Sequence, residues 1–525
     1  MDIQNFSALF NTPARREAFL KLIKDNKTKH IFIQGLEGSS IALFFSNLLE
    51  HKQAHILIAN DLDEAGYLYN DLVQINGNDH ILLFPSGYKR DIKYGQPDPP
   101  SEILRTEVLN RLCQKGESLL IVTYPEAIAE KVVPVNMLSE QTLHIDKNSK
   151  CDIITLSDKL RERGFEEVDY VYEPGQFAVR GSILDVFSYT NELPYRIDFF
   201  GKEVESIRTF EVETQLSTGK LEEVYIVANV CGQEASGISI LDFIDKNTIL
   251  ICHNLSWVID RISTIASESL SEQTLIAEEG DRYAMQKIID VTAFQKKITT
   301  FRRIDYGANS EANTPAVIRF NCAPQGVYHK NFDLVSQSFS QFIEKGYTLY
   351  ILSDSEKQIE RLQAIFEERG DSISFTPVLK TLHEGFIDND LKIGCFTDHQ
   401  IFDRFHKYTL KSEHARSGKL ALSLKELNQI EVGDYIVHVD HGIGRFGGLI
   451  HTEINGKMQE VIKLTYQNDD IIFVSIHALH KLAKYRAKEG EAPRINKLGS
   501  GAWERMKEKT KGKMKEIARD LIKLY

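Results

Sequence analysis

The chain has 525 residues with 42% hydrophobic and 26% charged content, ordinary values for a soluble protein of several domains. A net charge of −12 argues against an overall DNA-wrapping surface, which needs clustered Lys and Arg, and favours protein partners. No apolar run is long enough to span a bilayer, and the N-terminus lacks the basic start and apolar stretch of a signal peptide.

Residues 1–125 alternate short apolar runs such as "HILIAN" (55–60) and "SLLIVT" (118–123) with helical stretches such as "ILRTEVLNRLCQ" (103–114). That pattern predicts α/β structure with buried parallel strands, broken by the Pro-rich "GQPDPPSE" (95–102). Over 126–212 an amphipathic helix, "LSDKLRERGF" (156–165), precedes apolar/polar alternation between turn signals at Pro174-Gly175, Arg180-Gly181, Asn191 and Gly201-Lys202. This predicts an α+β insert. Residues 213–325 return to α/β around "LDFIDKNTILICHNLSWVIDRI" (241–262), and 326–415 read as a further α/β unit. There "SEKQIERLQAIFEERG" (355–370) predicts a helix capped by Ser355 and ended by Gly370.

Residues 416–430 read as a linker. Residues 431–485 predict a small SH3-like β-barrel, with hairpin turns at Asn455-Gly456 and Asn468–Asp470. A basic helix over 501–525 reaches the last residue without a C-cap, as expected of a chain cut from something longer. Six cysteines form no CxxC pair, so neither a zinc site nor a disulfide framework is suggested; a reducing cytoplasm fits.

The stretch "IFIQGLEGSSIALFFSNLL" (31–49) has the outline of a phosphate-binding loop: apolar strand, glycine turn, apolar helix. Gly35, Gly38, Ser39 and Ser40 are present, but Ile41 and Ala42 stand where a lysine and a hydroxyl would hold phosphate and magnesium. A tight strand-to-helix turn, without nucleotide, is the reading. In "HVDHGIGRF" (438–446) strand alternation separates His441 from His438 and Asp440, which favours a hydrogen-bonded turn over a metal site. "TDHQIFDRFHKY" (397–408) offers Asp398, His399, Asp403 and His406, yet its Phe and Ile spacing reads as an amphipathic helix.

Two stretches carry a family resemblance. "EVGDYIVHVDHGIGRFGGL" (431–449) with "EVIKLTYQNDDIIFVSIHALHKLAKY" (460–485) resembles the RNA-polymerase-interacting, CarD-like domain of the bacterial transcription-repair-coupling factors (Mfd). "YEPGQFAVRGSILDVFSYTNELPYRIDFFGKEVESIRTF" (172–210) resembles the module that family shares with UvrB, the one that meets UvrA. The resemblance implies that 1–125 and 213–325 form a degenerate UvrB-like α/β domain, interrupted by a UvrA-binding insert at 126–212. The α/β linker domain (326–415), the polymerase-binding barrel (431–485) and a basic helix leading to an absent motor (486–525) would follow.

The resemblance further implies that "GLEGSSIALFF" is a non-functional P-loop, and that "TILICHN" (248–254) lacks the acids of a magnesium-binding motif. Catalytic residues, metal and cofactors are then none in this chain. ATP and Mg belong to the absent motor, an ATP-dependent DNA translocase that also makes the main contact with double-stranded DNA. The implied partners are UvrA, through Phe177, Arg180 and Gly181, and the RNA polymerase β subunit, through Ile462, Lys463 and Leu464 of an exposed edge strand. The implied location is cytoplasmic. The alternative is a stand-alone UvrB-like helicase whose 31–49 loop still binds nucleotide.

Overall fold

The computed structural model describes residues 1–87, 99–147, 151–212, 215–228, 237–273, 288–308, 316–404, 430–454, 457–475, 482–485 and 493–509, less a few single positions. The expected linker at 416–430, apart from Ile430, the turn at Asn455-Gly456 and the basic helix beyond 509 lie outside the described residues.

The first α/β unit is a seven-stranded, wholly parallel sheet. Its spatial order is Ala316–Arg319, His30–Gln34, Arg302–Gly307, Ile249–Cys252, Ala54–Ile58, Leu119–Thr123 and Ile81–Leu83. The central strands are continuous apolar runs because helices cover both faces of a parallel sheet. The Pro-rich break resolves at Pro99, where a helix running to Cys113 begins; prolines suit a first helical turn, whose N–H groups need no partner.

The sheet draws strands from both sides of an inserted module. That module is a six-stranded sheet, in the order 217–221, 203–210, 195–200, 183–186, 176–180 and 166–167, packed on the helix Ile153–Glu162. Its ends are drawn together by Thr142–Asp146 pairing with Glu223–Val227, and by the backbone exchange of Val132 with Ile238, 2.8 Å each way.

The third sheet runs Cys322–Pro324, Phe386–Asp388, Ile393–Thr397, Thr348–Leu352, Thr376–Val378. The expected break at 325/326 therefore falls just after this sheet's first strand, not before it. The predicted helix over 355–370 spans Glu356–Glu368; Ser355 holds the N-cap position without a side-chain cap bond, and Gly370 follows at φ +72°. Of the amphipathic helix expected over 397–408, the described residues hold one turn, Asp398–Ile401, followed by Asp403 in the left-handed region at φ +49°; residues 405–408, with His406, lie outside the described residues.

The first and third sheets share one core. Tyr350, Leu352, Val378, Phe386 and Cys395 cluster with Phe6, Phe10, Phe44 and the first sheet's strands. The helix Ile3–Phe10 lies between them: Phe6 meets Tyr350 at 5.2 Å and Phe10 meets Phe386 at 5.3 Å, ring centre to ring centre. Arg15 adds an ion pair of 2.5 Å to the buried Asp388.

The barrel expected at 431–485 is a five-stranded antiparallel sheet in the order Ile471–Ser475, Lys457–Thr465, Gly442–Ile454, Tyr435–His438, Leu482–Lys484. Its core holds Ile430, Ile436, Phe446, Ile462, Leu464, Tyr466, Val474 and Leu482. Asn468 and Asp469 turn the chain with positive φ, closed by Tyr466 N–H donating to the Asp470 carbonyl at 2.7 Å.

Candidate functional sites

The strand His30–Gln34 ends at Gly35, and the loop reaches a six-residue helix, Ser40–Phe45. Gly35 and Gly38 have φ of +79° and +54°. Each also lies against foreign backbone. A Cβ on Gly35 would sit 2.2 Å from the Phe320 carbonyl oxygen, and one on Gly38 would sit 2.8 Å from that of Gly385.

The polar groups of the loop are occupied by the third sheet's connecting segment. Ser39 N–H donates to the Glu384 carbonyl at 3.2 Å, and Ser39 Oγ accepts from Glu384 N–H at 2.9 Å. Ser39 Oγ donates to Asp71 Oδ2 at 2.5 Å, and Asp71 Oδ1 accepts from His383 N–H at 2.8 Å. Ser40 Oγ accepts from Glu37 N–H at 2.9 Å. The His383 ring stacks on Tyr67. Burial raises the Asp71 carboxyl to about 7, against the two hydrogen bonds that favour its ionised form. Where a working loop would wrap phosphate, this one grips the peptide 383–385.

In the inserted module, Gln176–Arg180 and Ile183–Val186 form a hairpin through Gly181-Ser182, with Gly181 at φ +64° facing open space. Period-two alternation splits the sheet into two faces. One is core, and it includes Phe177. Phe177 is fully buried with the Arg161 guanidinium over its ring, so the expectation that it contacts a partner is corrected.

The opposite face carries Arg180, Asp185, Arg196, Asp198 and Arg208, with Phe200 at its rim, 79% exposed. Asp185 is buried and held by both Arg180 and Arg196, the latter at 2.7 and 2.9 Å. Arg208 pairs with Asp198. Arg180 covers the Tyr170 ring at 5.0 Å and Arg196 the Phe210 ring at 4.3 Å. Arg180 is thus a braced, half-exposed cation on a sheet face rather than a free turn residue. Sequence reasoning missed Arg196 and Phe200. The signal was in "YRIDFF", where Phe200 is the apolar residue on the polar phase of the alternation.

In the five-stranded unit, Ile462 and Leu464 are fully buried. Their strand pairs on both sides, with Gly442–Ile454 and Ile471–Ser475. It is therefore not an edge, and its backbone groups are taken; the expectation that these two side chains and this strand meet a partner is corrected. Lys463 points the other way, opposite Phe473. Among the described residues the outer strands of this sheet are Leu482–Lys484 and Ile471–Ser475; the second adjoins the Lys457–Thr465 strand, and there Ile471 is 44% and Phe473 52% exposed. In the His438–Gly442 turn, Asp440 N–H donates to His438 Nδ1 at 3.0 Å, and the His441 ring lies 4.6 Å from that of His438.

Residues 143–230 match the family described as the UvrB interaction domain, and residues 430–486 match the CarD-like/TRCF RID domain. The transcription-repair-coupling factor of Staphylococcus aureus (strain MRSA252) is 25% identical over 568 residues, covering 94% of this chain and 48% of that protein. That of Bacillus subtilis (strain 168) is 24% identical over 578 residues, covering 95% and 48%. The chain is similar, nearly end to end, to transcription-repair-coupling factors. It spans about half the length of these relatives. The first matched region coincides with the inserted module, whose outermost paired strands begin at Thr142 and end at Val227. The second coincides with the five-stranded unit, although Ile495 and Leu498, beyond the match, also pack on its core.

Proposed function

We propose that this chain is the recruiting part of a protein that couples transcription to nucleotide-excision repair. The inserted module engages UvrA through the face bearing Arg180, Arg196 and Phe200, with Gly181 shaping the hairpin. The five-stranded unit engages the RNA polymerase β subunit through the edge Ile471–Ser475, aided by Lys463 on the adjoining strand. An edge strand supplies unpaired N–H and C=O groups to a partner strand, and Phe473 supplies an apolar anchor. The whole protein is an ATP-dependent DNA translocase that displaces stalled polymerase at lesions. Its ATP, magnesium and main double-stranded DNA contacts lie outside these residues, and it works in the cytoplasm. Among the described residues no helix is long and apolar enough to cross a membrane.

One observation carries the reading: two modules matched to partner-recognition families share a chain whose loop at 35–40 grips peptide instead of phosphate. The stand-alone helicase alternative needs that loop free, and it is not. Capture of purified UvrA and of the polymerase β subunit by the 525-residue chain tests this. Phe200→Ala is expected to lose UvrA alone and Phe473→Ala the β subunit alone. Robust DNA-stimulated ATP turnover by this chain would sink the reading.

A further inference from the structure

The "HVDHGIGRF" turn has no role in the recruiting scheme, yet four contacts converge on it. Asn496 behaves like a one-residue strand. Its N–H donates to the Ile443 carbonyl at 2.9 Å, its Oδ1 accepts from Ile443 N–H at 2.8 Å, and its carbonyl accepts from Gln467 N–H at 3.1 Å. On either side of it Ile495 and Leu498 pack against the five-stranded core. Trp503 Nε1 then donates to the Val439 carbonyl at 2.8 Å, and Lys507 Nζ donates to the same oxygen at 3.1 Å. Gly442 is required beneath them: at φ +82° a Cβ there would lie 2.6 Å from Asn496 Oδ1 and 3.0 Å from the Trp503 ring.

Between these anchors runs Gly499-Ser500-Gly501, a composition that by itself predicts a floppy joint. A freely jointed linker would have no use for a tryptophan returned to the hairpin within two residues of the second glycine. We infer that the His438–Gly442 turn is a socket for the helical residues that begin at Trp503, so that the five-stranded unit and this helix move as one body. A partner held by the unit then fixes the direction in which the chain leaves it. The inference concerns the joint alone and stands whether or not the partner is polymerase.

The chain contains two tryptophans, Trp257 and Trp503, so 5-fluorotryptophan labelling of the whole chain gives two fluorine resonances, assigned by Trp257→Phe. The Trp503 resonance is expected well away from its position in the urea-denatured chain. Asn496→Ala and Gly442→Ala, at sites other than the tryptophan itself, are expected to move it towards that position. Reciprocally, Trp503→Ala is expected to speed amide exchange at Ile443 and Gln467 at least tenfold while Ile462, in the core, keeps its protection. A native Trp503 resonance at the denatured position, or unchanged exchange at Ile443 and Gln467 in Trp503→Ala, overturns the inference. Should a variant unfold the unit, seen as lost protection at Ile462, the native spectrum, which disturbs nothing in the joint, decides alone.

Discussion

Phe177 and Phe200 lie in one sheet, on opposite faces, and their truncation separates fold from recognition. Phe177 is fully buried among Leu184, Val186 and Ile197, so Phe177→Ala removes a core ring and leaves a cavity, at about 3–5 kcal/mol. Phe200 is 79% exposed, so its loss barely changes stability. Covering that exposed fraction of a side chain of ~200 Å² removes ~160 Å² from water, an upper bound of ~4 kcal/mol. Hot-spot truncations of about 2 kcal/mol correspond to a roughly 30-fold weaker complex. Calorimetric titration of UvrA with each whole-chain variant measures the affinity, and amide exchange at Leu184 and Ile197 measures the fold. Phe200→Ala is expected to keep native exchange and lose 30-fold or more in affinity. Native affinity in Phe200→Ala, with Phe177→Ala folded and unable to bind UvrA, would show that the partner face has been placed on the wrong side of the sheet.

Titration calorimetry with ATP and magnesium is expected to give no heat of binding; a micromolar Kd, about −8 kcal/mol, would contradict the filled loop. Leu464→Ala is expected to destabilise the five-stranded unit by roughly 2–5 kcal/mol, read as lost exchange protection at Ile436 and Ile462, because its side chain is core. Asp388→Ala strands Arg15 without its main partner and is expected to cost about 3–5 kcal/mol, with exchange rising first at Phe6 and Phe10. Burial pushes the His55 imidazole down from 6.5 to about 3, so the unfolded chain takes up a proton below pH 6.5 and the folded chain does not. The His55 contribution to stability is therefore expected to fall by ~1.4 kcal/mol per pH unit from 6.5 towards 3, opposed by Asp71, whose raised carboxyl pKa acts with the other sign. His55→Leu is expected to remove the His55 contribution, read as the difference between the two chains in urea titrations.

Local pattern was legible and long-range company was not. Alternation in "EVIKLTY" placed Ile462 and Leu464 on one face, but whether their strand lies at an edge depends on Ile471–Ser475 pairing beside it. Gly35 and Gly38 announced a tight turn, while the reason for the turn, Glu384, is 345 residues away from Ser39. Arg180 was visible as a lone arginine; its brace, Arg196, becomes a neighbour only through the strand register that sets Asp185 between them. The two recognition modules carried motifs dense enough to betray their families. The short turn at Asp398–Ile401 did not, since its Phe and Ile spacing fits a longer helix equally well.

The shared core has a consequence for synthesis. Phe6, Phe10 and Arg15 are among the earliest residues made, yet Arg15 meets Asp388 373 positions later. At ribosomal rates of 5–20 residues per second that wait is roughly 20–75 s. Meanwhile the inserted module can close on itself, because Thr142–Asp146 and Glu223–Val227 zip its two ends together before the chain returns to the first sheet. Its closure brings Val132 beside Ile238 and shortens the loop that the parallel sheet must later bridge. A nascent chain stopped near residue 320 would hold a finished module and every strand of the first sheet but only the start of the third, its Phe6 and Phe10 without Tyr350 and Phe386 and open to chaperones or to aggregation.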